Sequence, residues 1–267
     1  MRNEDVTLMI PTLNEIQGMR WFMPQLRPEW YGQILIVDGG SIDGTMEYCE
    51  EHGYPVFRQT GHGLPNAYDE AFERVAGNIL VTATPDGNSL PVLIPDLVQK
   101  IRDGYDMVIA SRYLGNAKSH DDDILTGFGN RMFTSIINLV FRAKYSDTLV
   151  GLRAYRRASM VDMALYRQDL QGYLKKRFFY MNSWETGASI RAAKLRLKVT
   201  EIPGDEPARI GGVRKLSITR NGLGVMLQIL HELLIGLRFG RYKSLLPQPA
   251  ANCTTGKSLS RTGKPAA

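Results

Sequence analysis

The sequence predicts an α/β fold with a Rossmann-like, mostly parallel central sheet flanked by helices. Three observations carry that prediction. Short β-rich runs alternate with segments of helical period, the runs are apolar at successive positions, and polar acid-bearing loops follow several of them. Strands without alternation are buried on both faces, as in a parallel sheet covered by helices.

In chain order, the strands are read at 6–10 (VTLMI), 34–37 (ILIV), 54–57 (YPVF), 79–83 (ILVTA) and 107–110 (MVIA). Between them, Met19, Phe22, Met23 and Leu26 recur at helical spacing. Ala67, Tyr68, Ala71, Phe72 and Val75 do the same, as do Ile94, Leu97, Val98 and Ile101. Strand following helix in this order gives a doubly wound half reaching to about Arg112. Ligands in such sheets bind outside the carboxyl ends of the strands, so the informative loops follow Ile10, Val37, Ala83 and Ala110. The second half is less regular. Phe133, Ile136, Ile137, Val140 and Phe141 mark an amphipathic helix, VGLRAYRR and LRLKVTEIP read as strands, and a helix is expected around Trp184 to Ala193. Met226, Ile229, Leu230, Leu233, Leu234 and Leu237 form one stripe. The expected organisation is a domain over 1–215, an amphipathic C-terminal helix over 216–243 and a tail over 244–267 that has nothing to bury.

Composition narrows the function classes. The 267 residues are 43% hydrophobic and 22% charged, ordinary for a globular protein. Three of the six net positive charges, Lys257, Arg261 and Lys264, lie in the last 21 residues, which hold no acid. The body is therefore only slightly basic, enough for phosphates or an anionic surface but not the dense basic stripe of a nucleic-acid binder. Cys49 and Cys253 make no disulfide framework, and Glu4 and Asp5 interrupt any leader, so a cytoplasmic setting is expected. The segment 221–237 is 17 residues, interrupted by Gln228, His231 and Glu232, and too short and polar to span a bilayer. Followed by Arg238, Arg241 and Lys243, it suits a helix lying in a membrane interface, or one packed on the protein's own core or in a homodimer.

The loops carry the chemistry. Asp38 directly follows a strand and precedes Gly-Gly-Ser, where it can receive a base or ribose hydrogen bond or simply shape a turn. Asp43 suits a cap for the helix near Thr45. Asp86 stands in TPDGNSLP, with Asn88 two residues on. One carboxylate can suffice for a hard cation whose remaining ligands are phosphate and water oxygens.

Taken in order, IPTLNE, VDGGSIDGT, GHGLPNAY, TPDGNSLP, SRYLGNAKSHDDD, DTLVGLRAYRR and PARIGGVRK resemble the family 2 glycosyltransferases of GT-A fold. The resemblance is to the dolichyl-phosphate mannose synthase and polyprenyl-phosphate sugar synthase branch, over Val6 to Lys215. It implies a nucleotide-sugar donor (GDP- or UDP-linked), a divalent metal (Mg2+ or Mn2+), a polyprenyl or dolichyl phosphate acceptor, and inversion at the anomeric carbon. Carried over, Pro11, Thr12, Glu15 and Asp38 line the nucleoside pocket, and Asp86 and Asn88 bind metal, Asp86 matching the second acid of the Asp-x-Asp motif. His62 faces the diphosphate, Arg153 an acceptor phosphate, and Arg209, Arg214 and Lys215 lie in a loop closing over donor and acceptor. Glu185 matches the catalytic carboxylate, a general base if the acceptor is a hydroxyl, and Asp147 an auxiliary acid. The chain departs from the family at Thr84, Gly39 and His62, in place of two acids and a lysine. Alternatives are transfer to a hydroxyl acceptor and a nucleotide-sugar binding protein without turnover. The acids of SHDDD (119–123) read as part of an acceptor loop leading into a helix, rather than a ligand set.

Overall fold

The computed structural model describes residues 3–165, 183–211 and 218–238. Its strands are β1 (Val6–Thr12), β2 (Gln33–Asp38), β3 (Val56–Arg58), β4 (Ile79–Thr82), β5 (Met107–Ser111), β6 (Arg153–Arg156) and β7 (Val199–Pro203). The helices are α1 (Ile16–Phe22), α2 (Thr45–Glu51), α3 (Leu64–Phe72), α4 (Ile94–Arg102), α5 (Ile124–Phe141), α6 (Arg157–Met163), α7 (Trp184–Lys194) and α8 (Ile218–Ile235). The tail over 244–267, Cys253, Arg214 and Lys215 lie outside the described residues.

The seven strands form one sheet in the order β3-β2-β1-β4-β6-β5-β7. All neighbours are parallel except β6, which runs antiparallel to both β4 and β5. The predicted apolar runs become the two-faced strands. Leu8 and Ile10 face one core with α1, α2 and α4, while Met9, Leu35 and Leu80 face the other with α3, α6 and α7. The third strand begins two residues later than its apolar run. Pro55 has no amide to donate, so the β3 ladder starts at Val56.

Strand order reverses between β1 and β4, and there the sheet parts. β1 pairs with β2 through Thr12↔Asp38, but its pairing with β4 stops at Met9↔Thr82. Met9 still accepts a hydrogen bond from the Ala83 amide at 3.1 Å. Pro11, two residues on and turned to the same side, has no N–H to continue that ladder. The chain after Ala83 is thereby released from the sheet and turns into Thr84–Ser89.

The C-terminal helix α8 packs on the protein's own core through Val225 and Ile229, against Phe133 and Ile137 of α5 and Ile190 of α7. Its opposite face leaves Leu230, Leu233 and Leu234 exposed. Glu232, which interrupts the apolar stripe in the sequence, is buried and meets Arg191 Nη2 and Lys194 Nζ, each at 2.7 Å. Gln228 likewise links to Ser183, receiving from its amide at 3.2 Å and donating to its carbonyl at 3.0 Å. Removing one partner of a buried ion pair strands the other charge in low dielectric. Glu232→Ala is therefore expected to lower unfolding free energy by about 3–5 kcal/mol. Leu234→Ser on the exposed face should change it by less than about 0.5 kcal/mol. Urea midpoints of the two variants check this, and equal small effects would contradict the buried pairing.

Candidate active site

The strands β1, β2 and β4 deliver their following loops to one rim. The first two loops are interlocked. Asn14 N donates to Ser41 Oγ at 2.8 Å, Glu15 N to Thr45 Oγ1 at 3.0 Å, and Ile16 N to Asp43 Oδ2 at 3.0 Å. Asp43 also accepts from the Thr45 amide at 3.1 Å, but the N-cap position of α2 is held by Gly44, with no side-chain capping bond.

Asp38 is placed differently from its predicted nucleoside-binding role. It is fully buried, and its carboxylate points back into its own loop. One oxygen accepts from the amides of Gly40 and Ser41, both at 2.8 Å, and the other from the hydroxyls of Ser41 and Thr12. A carboxylate holding four short-range donors is a scaffold for Thr12 and Gly39, which do reach the cavity wall.

A cavity of about 530 Å³ opens at this rim. Of the residues predicted from the sequence, it brings together Pro11, Thr12, Glu15, Asp86, Asn88, Glu185 and Arg209. His62 lies exposed just outside, in the loop whose next residues, Gly63 to Pro65, line the wall.

Asp86 sits in the turn released from β4, 8% exposed. Its Oδ1 accepts from Thr84 Oγ1 at 2.8 Å and from the Asn88 amide at 3.2 Å, and its Oδ2 pairs with Arg209 Nη1 at 2.5 Å. Thr84, in place of an acid, therefore orients Asp86 as a donor. The turn is pressed from two sides. A Cβ at Gly18 would lie 2.1 Å from the Pro85 carbonyl oxygen, so α1 can approach only with glycine there. Gly87, with φ +94°, lies under Ile210, whose amide donates to the Asp86 carbonyl at 2.8 Å. That bond docks the segment carrying Arg209 onto the turn. The Arg209 guanidinium also stands 3.5 Å from Asp121 Oδ2, which accepts from Asn88 Nδ2 at 3.1 Å. Burial disfavours the Arg209 charge, but Asp86 and Asp121 outweigh it and raise its pKa further.

The residues present fit a hard divalent cation. The turn offers a carboxylate and an amide oxygen, and Asn88 Oδ1 is buried with no hydrogen-bond partner among the described residues. Among the described residues, no group of three or more His, Cys, Asp or Glu converges as a ready-made cage.

Glu185 lies in the first turn of α7, where the helix N-terminus favours a negative charge. Tyr68 Oη donates to its Oε1 at 3.2 Å and Ser183 Oγ to its Oε2 at 2.6 Å. Burial, then the Glu185 charge, pushes the Tyr68 phenol well above its ordinary pKa, so Tyr68 stays a donor. Tyr68 was legible in the sequence only as part of an apolar stripe.

Arg153 departs from its predicted contact with an acceptor phosphate. It is fully buried beneath the wall, its Nε donating to the Val150 carbonyl at 2.7 Å and its Nη1 to Glu185 O and Ser189 Oγ, each at 2.9 Å. It supports the backbone that carries Glu185.

Besides Arg209, the wall carries Arg112, which meets Glu206 Oε2 at 3.3 Å. Glu206 escaped the sequence reading. Its signal was strand direction: β7 is parallel to β5, so the chain after β7 returns to the ligand rim. Asp147 is not at the wall but behind Arg112, bound by Nε at 2.6 Å and Nη2 at 3.0 Å. It also accepts from the amides of Leu149 and Val150, whose side chains line the cavity.

A mostly parallel sheet flanked by helices, with a carboxylate-bearing turn on its ligand rim, is the architecture of a transferase of GT-A type. The family model for glycosyl transferase family 2 matches residues 7–163, and the chain belongs to that family. It is a glycosyltransferase. Glycosyltransferase AglJ of Haloferax volcanii is 27% identical over 228 residues, 80% of this chain and 71% of that protein. Dolichol-phosphate mannosyltransferase of Pyrococcus furiosus is 32% identical over 121 residues, 42% of this chain and only 34% of that protein. Glucosyl-3-phosphoglycerate synthase from Mycobacterium tuberculosis, solved with Mn2+, uridine-diphosphate and glucosyl-3-phosphoglycerate, superimposes with a TM-score of 0.60. That match covers 88% of this chain and 80% of the other at 17% identity, a likeness of fold.

Asp147 gives the wall a pH dependence. Burial raises its pKa, yet the Arg112 charge and hydrogen bonds outweigh burial and hold it below the ordinary value. A depressed carboxyl stabilises the fold above its unfolded pKa, about 3.9, and loses that contribution as pH falls through the native value. Asp147→Asn should therefore cost on the order of 3 kcal/mol near neutrality. The gap from wild type should narrow below about pH 4. Denaturant titrations across pH check this, and a gap that stays constant into strong acid would contradict it.

Proposed function

We propose that the chain transfers a hexose, with inversion, from a nucleoside-diphosphate sugar to a polyprenyl phosphate. One observation carries the acceptor class. The cavity that holds Asp86 and Arg209 is also lined by Leu125 and Phe133 of α5 and Val225 of α8. The outer faces of the same two helices leave Ile124, Phe128, Leu139 and Leu234 exposed. A polar end for a diphosphate and an apolar wall continuing onto two apolar helix faces suit an acceptor with a charged head and an isoprenoid tail. Those faces also suit contact with the membrane surface where such an acceptor resides. Among the described residues, no helix is long and apolar enough to cross a membrane. The name of the Pyrococcus furiosus relative supports the same acceptor class. The Mn2+ and uridine-diphosphate of the Mycobacterium tuberculosis structure support a nucleotide donor and a divalent cation.

Each residue then has a task. Pro11, Thr12 and Glu15 form the nucleoside side of the cleft. Asp86 and Asn88 would hold Mg2+ or Mn2+, which offsets charge on the leaving diphosphate. Arg209, already at the turn, supplies a guanidinium whose fork matches phosphate oxygens. Arg112 offers positive charge on the acceptor side. A lipid phosphate is already anionic, so its attack on the anomeric carbon requires no base. Glu185 then orders Tyr68 and Ser183 at the wall.

A second reading, transfer to a hydroxyl, is favoured by Glu185 itself, a carboxylate at the cavity wall that could take the hydroxyl proton. The two readings separate on activity. With GDP-mannose or UDP-glucose, Mn2+ and dolichyl or undecaprenyl phosphate, wild type should form glycolipid, and Asp86→Ala should lose turnover without losing its fold. Glu185→Gln should lose less than about tenfold in kcat, whereas loss of a general base would cost about 100-fold or more. Radiolabelled product extraction with circular dichroism checks both variants, and an active Asp86→Ala would contradict the assignment.

A further inference from the structure

Thr84 leaves the turn after β4 with one acid, Asp86, and the question is where a second negative charge would come from. The geometry points to Asp121 as the second carboxylate ligand of the divalent-cation site, brought to Asp86 by the fold rather than by the sequence. This rests on the cation reading of the preceding section and deepens it.

Asp121 reaches the site because its loop is zipped to the chain after β7. Lys118 N donates to Asp205 Oδ1 at 2.8 Å, Glu206 N to the Lys118 carbonyl at 2.9 Å, and His120 N to the Glu206 carbonyl at 2.7 Å. Ser119 Oγ donates to Glu206 as well. The three acids of the run are thereby given separate tasks. Asp123 caps α5 by accepting from the Thr126 amide at 2.7 Å. Asp122 accepts from the Tyr113 hydroxyl and lies 3.9 Å from Arg112. Asp121 alone of the three is turned to the Asp86 side, within reach of Asn88 and Arg209.

Two observations besides the carboxylates point to a cation between them. The Arg209 guanidinium meets Asp86 with one terminal nitrogen and Asp121 with the other. A positive group thus already occupies the ground between the two acids. It carries one charge against two, so a divalent ion would neutralise the pair more completely. Asn88 Oδ1, buried and without a partner, belongs to the same residue whose Nδ2 touches Asp121. Two carboxylate oxygens and an amide oxygen are the hard donors Mg2+ and Mn2+ take, with phosphate and water completing the shell. Arg209 marks the cation position. Among the described residues its Nε has no hydrogen-bond partner, which leaves one buried donor for the diphosphate when the cation enters.

The test is direct Mn2+ binding to the full chain, read from the electron paramagnetic resonance signal of free Mn2+, with and without UDP or GDP. Asp121→Asn should weaken Mn2+ binding by tenfold or more, with a thermal midpoint close to wild type. Asp121→Cys should weaken Mn2+ but gain affinity for Cd2+, because thiolate prefers the softer metal; a residue with a structural role alone would show no such exchange. Arg209→Ala should tighten Mn2+ binding measured without nucleotide, because the competing charge is gone. Wild-type Mn2+ affinity in Asp121→Asn, with binding lost in Asp86→Asn, would overturn the assignment of Asp121 and leave the cation reading standing. Unchanged or weaker binding in Arg209→Ala would overturn the placement of the cation between the two acids. No Mn2+ binding by wild type, even with nucleotide, would overturn both readings.

Discussion

The functional end of the molecule depends on the parting of β1 from β4. Pro11 cannot extend the ladder that Met9 begins, so the chain after Ala83 leaves the sheet one residue beyond β4. The freed turn is not left loose. Gly18 lets α1 press on the Pro85 carbonyl from one side, and Gly87 lets Ile210 dock from the other. Asp86 is consequently held by backbone geometry at the switch point of the strand order, the place where open α/β sheets bind ligands.

Electrostatics is built around that turn in two layers. At the surface of the cavity, acids and guanidiniums alternate: Asp86 with Arg209, and Glu206 with Arg112. Behind them, Asp147 anchors Arg112 and the 149–150 backbone, and Arg153 holds the Glu185 carbonyl. These inner residues touch no cavity space, yet they set where the outer ones stand. Low dielectric makes such pairs costly to break, so a wall built this way keeps its charges in place.

Much of the fold was legible in the sequence because parallel strands buried on both faces read as unbroken apolar runs. Met9 and Leu8 serve opposite cores from adjacent positions. The direction of β6 was not legible, since its sequence is compatible with either orientation and only its connections decide. The sequence did place Asp86 and Asn88 together on a strand-end turn, and both line the cavity. It was misleading where an acid follows a strand but turns inward, as Asp38 does, or where a lone arginine suggests a phosphate but is buried, as Arg153 is. Contacts between distant segments left no local trace. Arg209 meets Asp86 across 123 residues, and Asn88 meets Asp121 across 33. Strand direction is the missing information in both, because it decides which loops share a rim.

We propose that Asp86 addresses a divalent cation shared with a nucleoside diphosphate at this rim. Crystals grown with Mn2+ and UDP or GDP, examined at the manganese absorption edge, test it most directly. One anomalous peak is expected in coordination contact with the Asp86 carboxylate and the diphosphate, lying in the cleft beside Pro11 and Thr12. A nucleotide bound in that cleft with manganese absent from Asp86, or manganese bound at another surface, would contradict it.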